Sequence, residues 1–249
     1  MKLSLIIPVY NEEKYIANCL ESIAKQKIAP DEVVVIDNNC TDNTLSIVKK
    51  YPFVKVIHEK KQGMIAARNT GFNAAAHGII ARCDADTRLP SNWIAKIKRN
   101  FERYKIDALT GPIVYYDAPI QTSLIARAYL DMMKPIHRGG ETLIGPNMII
   151  TKEIWKKIKN KVCLNDQLVH EDIDLAYHIQ EAGGKIRRDN HLVVGTSSRR
   201  IKKNPYSFFS EYPKRFMKTL LHHDETVLQL KKGFKLPVWY TGRRSRKKS

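Results

Sequence analysis

A chain of 249 residues, 43% hydrophobic and 27% charged, has room for one large core or a core with an appendage, and it excludes a wholly disordered or fibrous protein. Its 43 Lys and Arg against 25 Asp and Glu give a net charge of +18. The segment from Arg199 to Ser249, with 15 basic and 3 acidic residues, carries +12 of that excess, so the chain's basic character is a C-terminal property. Such a segment seeks anionic lipid, nucleic acid or a phosphorylated substrate.

The chain starts with MKLSLIIPVYNEE, whose apolar run is too short for a signal peptide, and no later run approaches the roughly 20 residues of a spanning helix. Cys19, Cys40, Cys83 and Cys163 lack CxxC spacing, which suggests neither a zinc knuckle nor a disulfide framework. These features predict a cytoplasmic protein in a reducing compartment, with any membrane contact peripheral.

LSLIIPV reads as a strand, followed by Asn11 as N-cap and a helix with Ile16, Leu20 and Ile23 on one face. EVVVID is a second strand, β-branched enough to be buried on both faces, and CTDNTLSIVKKY starts a helix at Thr41 or Asp42. VKVIH, GMIAARNTGFNAAA, GIIARCDAD and SNWIAKIKRNFERY continue the alternation, with Trp93, Ile97 and Phe101 sharing a helix face as core residues. Strands alternating with helices of this length predict an α/β fold with a mostly parallel sheet covered on both sides, whose ligands collect at the strands' carboxyl ends.

After Asp107 the pattern loosens. ALTGPIVYY reads as a strand, residues 120–134 as a helix, TLIGPNMIIT as a strand and KEIWKKI as a short helix. VHEDIDLAYHIQEAGGKI describes a helix that begins at its acids and stops at Gly183 and Gly184. HLVVGTSSRR is one more strand. From Asn204 a helix carries Phe209, Tyr212, Phe216 and Leu220 in one stripe, with Pro213 expected to kink or divide it. His222 and His223 at its end read as solvated.

Among chemistry-bearing residues, Asp84 and Asp86 close an apolar strand two positions apart, so they project to the same side. They either cap the following turn or hold a hard divalent cation, Mg²⁺ or Mn²⁺, against a phosphate-bearing substrate. No GxGxxG follows the first strand and no GxxxxGK[ST] occurs, so a nucleotide here needs side-chain acids and a metal. Glu171 and Asp172 begin a predicted helix, where the macrodipole keeps a carboxylate ionised; they serve either the helix end or a general base. Arg199 and Arg200 are either a basic surface turn or the neutralising charge for a leaving diphosphate.

The segments SLIIPVYNEEKYIANCLESI, VVVIDNNCTDNT, GMIAARNTGF, CDADTRLPSNWI and EDIDLAYHIQEAG, in this order, resemble the family 2 glycosyltransferases of the GT-A fold over residues 1 to about 200. The resemblance implies that Pro8, Tyr10 and Glu12 line the base and ribose pocket, that Asp37 hydrogen-bonds the base, and that Arg68 faces the nucleotide. It implies Asp84 at the ribose or metal shell, Asp86 as metal ligand and Asp172 as catalytic base, with Glu171 beside it. A family His expected near the strand HLVVGTSS is replaced by Ser197 and Ser198, which shifts charge work to the arginines. Gly145, Pro146 and Asn147 match a region that faces the acceptor in related enzymes, though a tight turn explains them equally well.

The expected organisation is a GT-A catalytic domain over residues 1–203 and an amphipathic helical segment with a basic tail over 204–249. The expected activity is inverting transfer of a sugar from a UDP- or GDP-linked donor to a glycan or lipid-linked acceptor, with the basic end available to an anionic membrane surface. A nucleotidyltransferase would share the sheet and paired acids but needs a glycine-rich basic loop where PVYNEE is acidic. A nucleic-acid-binding protein would use the basic tail but leaves Asp37, Asp84, Asp86 and Asp172 without a role.

Overall fold

The computed structural model describes residues 1–118, 123–136, 140–203 and 205–223. Its strands are β1 (Leu3–Val9), β2 (Glu32–Asp37), β3 (Val54–His58), β4 (Ile79–Arg82), β5 (Ala108–Thr110), β6 (Ile113–Tyr115), β7 (Met148–Thr151), β8 (Ile186–Arg188) and β9 (Val194–Thr196). The helices are α1 (Ile16–Ala24), α2 (Thr44–Val48), α3 (Met64–Ala74), α4 (Trp93–Arg103), α5 (Ser123–Ile136), α6 (Lys152–Ile158), α7 (Glu171–Glu181), α8 (Arg199–Lys203) and α9 (Pro205–His223).

One sheet has the order β3-β2-β1-β4-β7-β5-β8, and β6 pairs with β9 in a second. The first four strands of the sequence are mutually parallel, and β7 enters antiparallel between β4 and β5. This is the mostly parallel, helix-flanked α/β class that the sequence predicts. The chain winds outward from β1 to β3 and then returns to place β4 on β1's other side. That reversal opens a crevice at the carboxyl ends of β1 and β4, where ligands of open α/β sheets bind.

Strand alternation builds the two faces. Leu5 and Ile7 pack with Leu20 of α1 and Trp93 and Ile97 of α4, while Ile6 packs on the opposite side with Phe72 of α3. Each such aliphatic side chain contributes about 1.5–3 kcal/mol by leaving water. Helix α3 lies close to the sheet because of Gly71: a Cβ there would sit 2.7 Å from Ile6 Cδ1. Its small residues are a requirement of approach distance.

Several sequence expectations are corrected. Asn11 is a turn residue with φ of 55°, and α1 starts only at Ile16. Asp42 precedes α2, whose first residue, Thr44, donates its N–H to Asp42 Oδ1 at 3.0 Å. ALTGPIVYY is two strands in different sheets, divided at Gly111 and Pro112, where a Cβ on Gly111 would meet Leu192 O at 2.1 Å. TLIGPNMIIT is strand only from Met148, after a 3-10 turn over Gly145–Asn147. HLVVGTSSRR is strand only at Val194–Thr196, and the short β8 was not foreseen. Helix α7 does end at the glycines, with Gly183 at φ of 76° and Gly184 N–H donating to Ile179 O.

Pro213 does not divide α9, which runs as one element through it. Packing explains this: Phe216 and Leu220 lie against Met133, Ile173 and Tyr177, and Thr219 Oγ1 accepts the His170 N–H at 2.7 Å. The described face of α9 therefore rests on α7. The side chains of Phe209, Tyr212 and His222, and all of residues 224–249 with the basic tail, lie outside the described residues. No helix among the described residues is long and apolar enough to cross a membrane.

Asn147, fully buried, accepts from Trp93 Nε1 at 3.0 Å and donates to Leu192 O at 2.5 Å, tying α4, β7 and the approach to β9 together. Asn147→Ala strands both partners without water, so it should lower unfolding free energy by about 2–3 kcal/mol in a urea titration. A loss under about 0.5 kcal/mol would contradict this account.

Candidate active site

Two turns and one strand end bring the acids together. After β1, Asn11 Oδ1 accepts the Thr41 N–H at 2.8 Å and Glu12 N–H donates to Thr44 Oγ1 at 2.7 Å, which fixes Glu12 at the crevice. After β4, Asp84 N–H donates to Thr87 Oγ1 and Thr87 N–H donates to Asp84 O, closing the turn that carries Asp84 and Asp86. From β9, Thr196 Oγ1 donates to Asp86 Oδ1 at 3.1 Å.

Arg199, at the start of α8, joins two of the acids. Its Nε donates to Asp86 Oδ2 at 3.0 Å and its Nη2 to Glu12 Oε1 at 2.5 Å, with the guanidinium over the Tyr15 ring. One cation does not offset the site. Burial and the charge of Asp84 hold the Asp86 carboxyl above the ordinary range despite Arg199, and burial with the charges of Asp86 and Asp84 does the same to Glu12. Glu12 Oε2 is buried with no hydrogen-bond partner. The set is all-oxygen, carries excess negative charge and leaves one Glu12 oxygen orphaned, so Asp86 and Asp84 could hold a hard divalent cation, which would compete with Thr196 and Arg199 for the Asp86 oxygens.

Beneath the acids lies a charge layer that the sequence did not disclose. Arg82, the last residue of β4 and buried, donates through Nη2 to Asp84 Oδ1 at 2.9 Å and through Nη1 to Glu171 Oε1. Arg68, also fully buried, donates to Glu171 O at 2.9 Å and to Asn69 Oδ1. Glu171 thus bridges two guanidiniums at the foot of α7. Arg68, expected to face the nucleotide, lies beneath the acids with both ends of its guanidinium bonded inside the protein. Arg82 was readable in principle: at two residues before Asp84 on a strand, it must share that residue's side.

Asp172 stands one residue on, with its side chain 23% exposed. Burial pushes its carboxyl up, but the His170 hydrogen bond and charge, the charge of Arg82 and the Gly145 N–H at 3.3 Å reverse this and leave it below the usual range. It is ionised at neutral pH. Gly145 also borders the Arg82 guanidinium, so the 3-10 turn, β4 and α7 meet at one point.

The remaining candidates are distributed around this centre. Pro8 is partly exposed on β1 and Tyr10 is 51% exposed beside it. Asp37, at the end of β2, is engaged internally: Oδ1 accepts from Cys40 N and Oδ2 meets His58 Nδ1 at 2.9 Å. The side chain of Arg200 lies outside the described residues. Ser197 and Ser198, standing where the family His was expected, both bind Asp117 and so shape the run into Arg199. Those bonds outweigh burial and bring the Asp117 carboxyl down to about 2. Asp117 and Thr196 were missed because their roles depend on β6 and β9 pairing across 80 residues of chain.

Residues 4–162 match the family described as glycosyl transferase family 2. The glycosyltransferase GlyA of Streptococcus pneumoniae is 30% identical over 114 residues, spanning 44% of this chain and 16% of that protein. Among solved structures, S. aureus TarS 1-349 in complex with UDP-GlcNAc aligns with a TM-score of 0.62 at 24% identity, covering 80% of this chain and 59% of that one. The mannosyltransferase PcManGT from Pyrobaculum calidifontis, in complex with GDP-Man and Mn²⁺, aligns with a TM-score of 0.69 at 19% identity, covering 92% and 64%. The chain spans less than two thirds of each of these proteins, and at such identities the structural likeness establishes the fold.

The raised Asp86 has a consequence for stability. Its charged form is penalised in the native state, so the penalty is present above the native pKa and relieved as pH falls through it. Asp86→Asn should raise the melting temperature of the metal-free protein at pH 7 by a few degrees, with a smaller difference at pH 4.5. A lower melting temperature for the variant at pH 7 would show that Asp86 stabilises the fold.

Proposed function

The chain belongs to glycosyl transferase family 2, and from that premise we propose that it transfers a sugar from a nucleotide diphosphate sugar to a hydroxyl acceptor with inversion. The observation that carries the reading is the excess of carboxylate at the β1–β4 crevice: Glu12 and Asp86 stay raised even with Arg199 between them. Acids left in that state serve a cation and, through it, a polyanionic donor. The nucleotidyltransferase reading falls with the family assignment.

In this proposal Pro8, Tyr10 and Glu12 border the nucleoside, and Asp37 positions the base-binding turn through Cys40 and His58. Asp86, with Asp84 beside it, holds Mg²⁺ or Mn²⁺. The cation, when bound, supplies positive charge that stabilises the departing diphosphate. Arg199 and Arg200 add fixed positive charge at the same place. Asp172 takes the acceptor's proton as the acceptor oxygen bonds to the anomeric carbon and the bond from that carbon to the diphosphate oxygen breaks on the opposite face. Glu171 stays paired to Arg82 and Arg68 and orients the residue that follows it.

The donor is a UDP- or GDP-linked sugar, in line with the ligands of TarS and PcManGT. The acceptor is a glycan or a lipid-linked hydroxyl, and the basic residues beyond Lys231 suit the anionic surface on which a lipid-linked acceptor is presented. In this proposal the protein is cytoplasmic and meets the inner face of the cell membrane as a peripheral component.

A thermal-shift screen of UDP, GDP and their sugar conjugates, with and without Mn²⁺, tests the donor assignment. Metal-dependent stabilisation by one of these, lost in Asp86→Ala, is expected; a shift that Mn²⁺ never changes would end the reading. For the base, Asp172→Asn should keep donor binding and lower kcat by about 10²- to 10⁴-fold. Because Asp172 is depressed while Glu12 and Asp86 are raised, acid should first weaken metal-dependent donor binding, with turnover of the bound complex holding to lower pH. An acid limb seen first in kcat would contradict the assignment.

A further inference from the structure

We propose a second cation site, of transition-metal type, formed by Asp174 and His178 of α7 and His223 at the end of α9. The three ligand atoms lie within 4.8 Å of one another. Asp174 Oδ1 is 2.7 Å from His223 Nε2 and 3.6 Å from His178 Nε2. Two ligands of a tetrahedral ion at metal distances of about 2.0–2.1 Å stand about 3.3 Å apart, a value these spacings bracket. Small side-chain rotations admit the ion.

The surroundings orient the rings for ligation. Glu181 Oε2 is 3.1 Å from His178 Nδ1, and Glu181 Oε1 is 3.6 Å from His223 Nδ1, so one carboxylate takes the far side of both imidazoles. His178 Nδ1 hydrogen-bonds Glu181 Oε2, which turns His178 Nε2 toward Asp174, and His223 Nε2 hydrogen-bonds Asp174 Oδ1 at 2.7 Å, so an ion would take the place of the proton between them. A carboxylate on the outer nitrogen of a metal-bound histidine is the usual second-layer arrangement in metal sites. The two rings stand at 75° with centroids 4.7 Å apart, and Tyr177 stacks on His223 at 4.7 Å. Asp174 Oδ2 is occupied by the Cys163 N–H at 3.0 Å, which leaves Oδ1 for the shared point.

One observation indicates that the hydrogen bond between His223 and Asp174 does not complete this cluster. Asp174 is fully buried, His178 is 9% exposed, and His178 Nε2 has no hydrogen-bond partner although it points at Asp174. Two nitrogens and one oxygen suit Zn²⁺ over Mg²⁺, which separates this site chemically from the all-oxygen pair Asp84 and Asp86.

The cluster reverses, for His223, the expectation that it is solvated: its side chain is 3% exposed. Its effect is mechanical. An ion there clamps α9 to α7, the helix whose first turn carries Asp172, and the proposal does not depend on what the β1–β4 crevice binds.

The full chain, stripped with EDTA, reloaded with Zn²⁺ and freed of excess by dialysis, tests it by elemental analysis. About one zinc per chain is expected in the wild type and in Asp86→Asn, with a higher melting temperature than the stripped protein. His178→Ala and His223→Ala should lose the zinc, and Glu181→Gln should bind it on the order of 10- to 100-fold more weakly. Should those histidine variants fail to fold by circular dichroism, Co²⁺ added to the stripped wild type decides: an intense four-coordinate visible spectrum supports the site. A weak six-coordinate spectrum, a wild type without zinc, histidine variants that keep it, or loss of zinc in Asp86→Asn would each overturn the proposal.

Discussion

The arrangement of the crevice depends on one buried guanidinium. Arg82 ends the central strand β4 and spans from Asp84 to Glu171, so it fixes the acid turn after β4 relative to the first turn of α7. Without it Asp84 would lose its side-chain ion pair and Glu171 one of its two guanidinium partners. Removing one partner from a buried pair generally costs about 3–5 kcal/mol, because the survivor is left charged and dry. Arg68 beneath Glu171 makes the layer continuous with α3, and the fold keeps positive charge under the crevice while leaving the acids on top.

This layering separates the carboxylates into two populations. Asp172 lies where His170, Arg82 and the Gly145 N–H favour its charged form, while Glu12 and Asp86 lie where burial and mutual repulsion oppose theirs. Acid–base assignments in enzymes commonly rest on such divergence among neighbouring groups. The same chain thus contains a carboxylate held in its charged form and a pair whose charge is penalised, set by what stands within a few ångströms of each.

What could be read from the sequence follows from how local each feature is. The strands LSLIIPV, EVVVID and GIIAR were legible because a buried central strand needs an unbroken apolar run, and Asp84, Asp86 and Asp172 were legible because they sit at the ends of such elements. The split of ALTGPIVYY was hidden, since its first half pairs with β7 and β8 and its second with β9, all distant in sequence. Pro213 misled because tertiary packing of Phe216 and Leu220 overrides its local preference. His223 misled for a related reason: its environment is made by Asp174 and Glu181, more than 40 residues away in sequence.

The antiparallel entry of β7 also imposes an order in time. Strands β1 to β4, with Glu12, Asp84 and Asp86, come from the first 86 residues, whereas the strand that extends the sheet past β4 begins at Met148 and the helix bearing Asp172 follows at Glu171. A nascent chain leaving the ribosome amino end first has all the acids of one wall in the open well before the opposite wall exists. The enclosure around Asp172 is therefore synthesised after the acid wall, Thr196 and Arg199 follow it into the crevice, and α9 arrives last against α7.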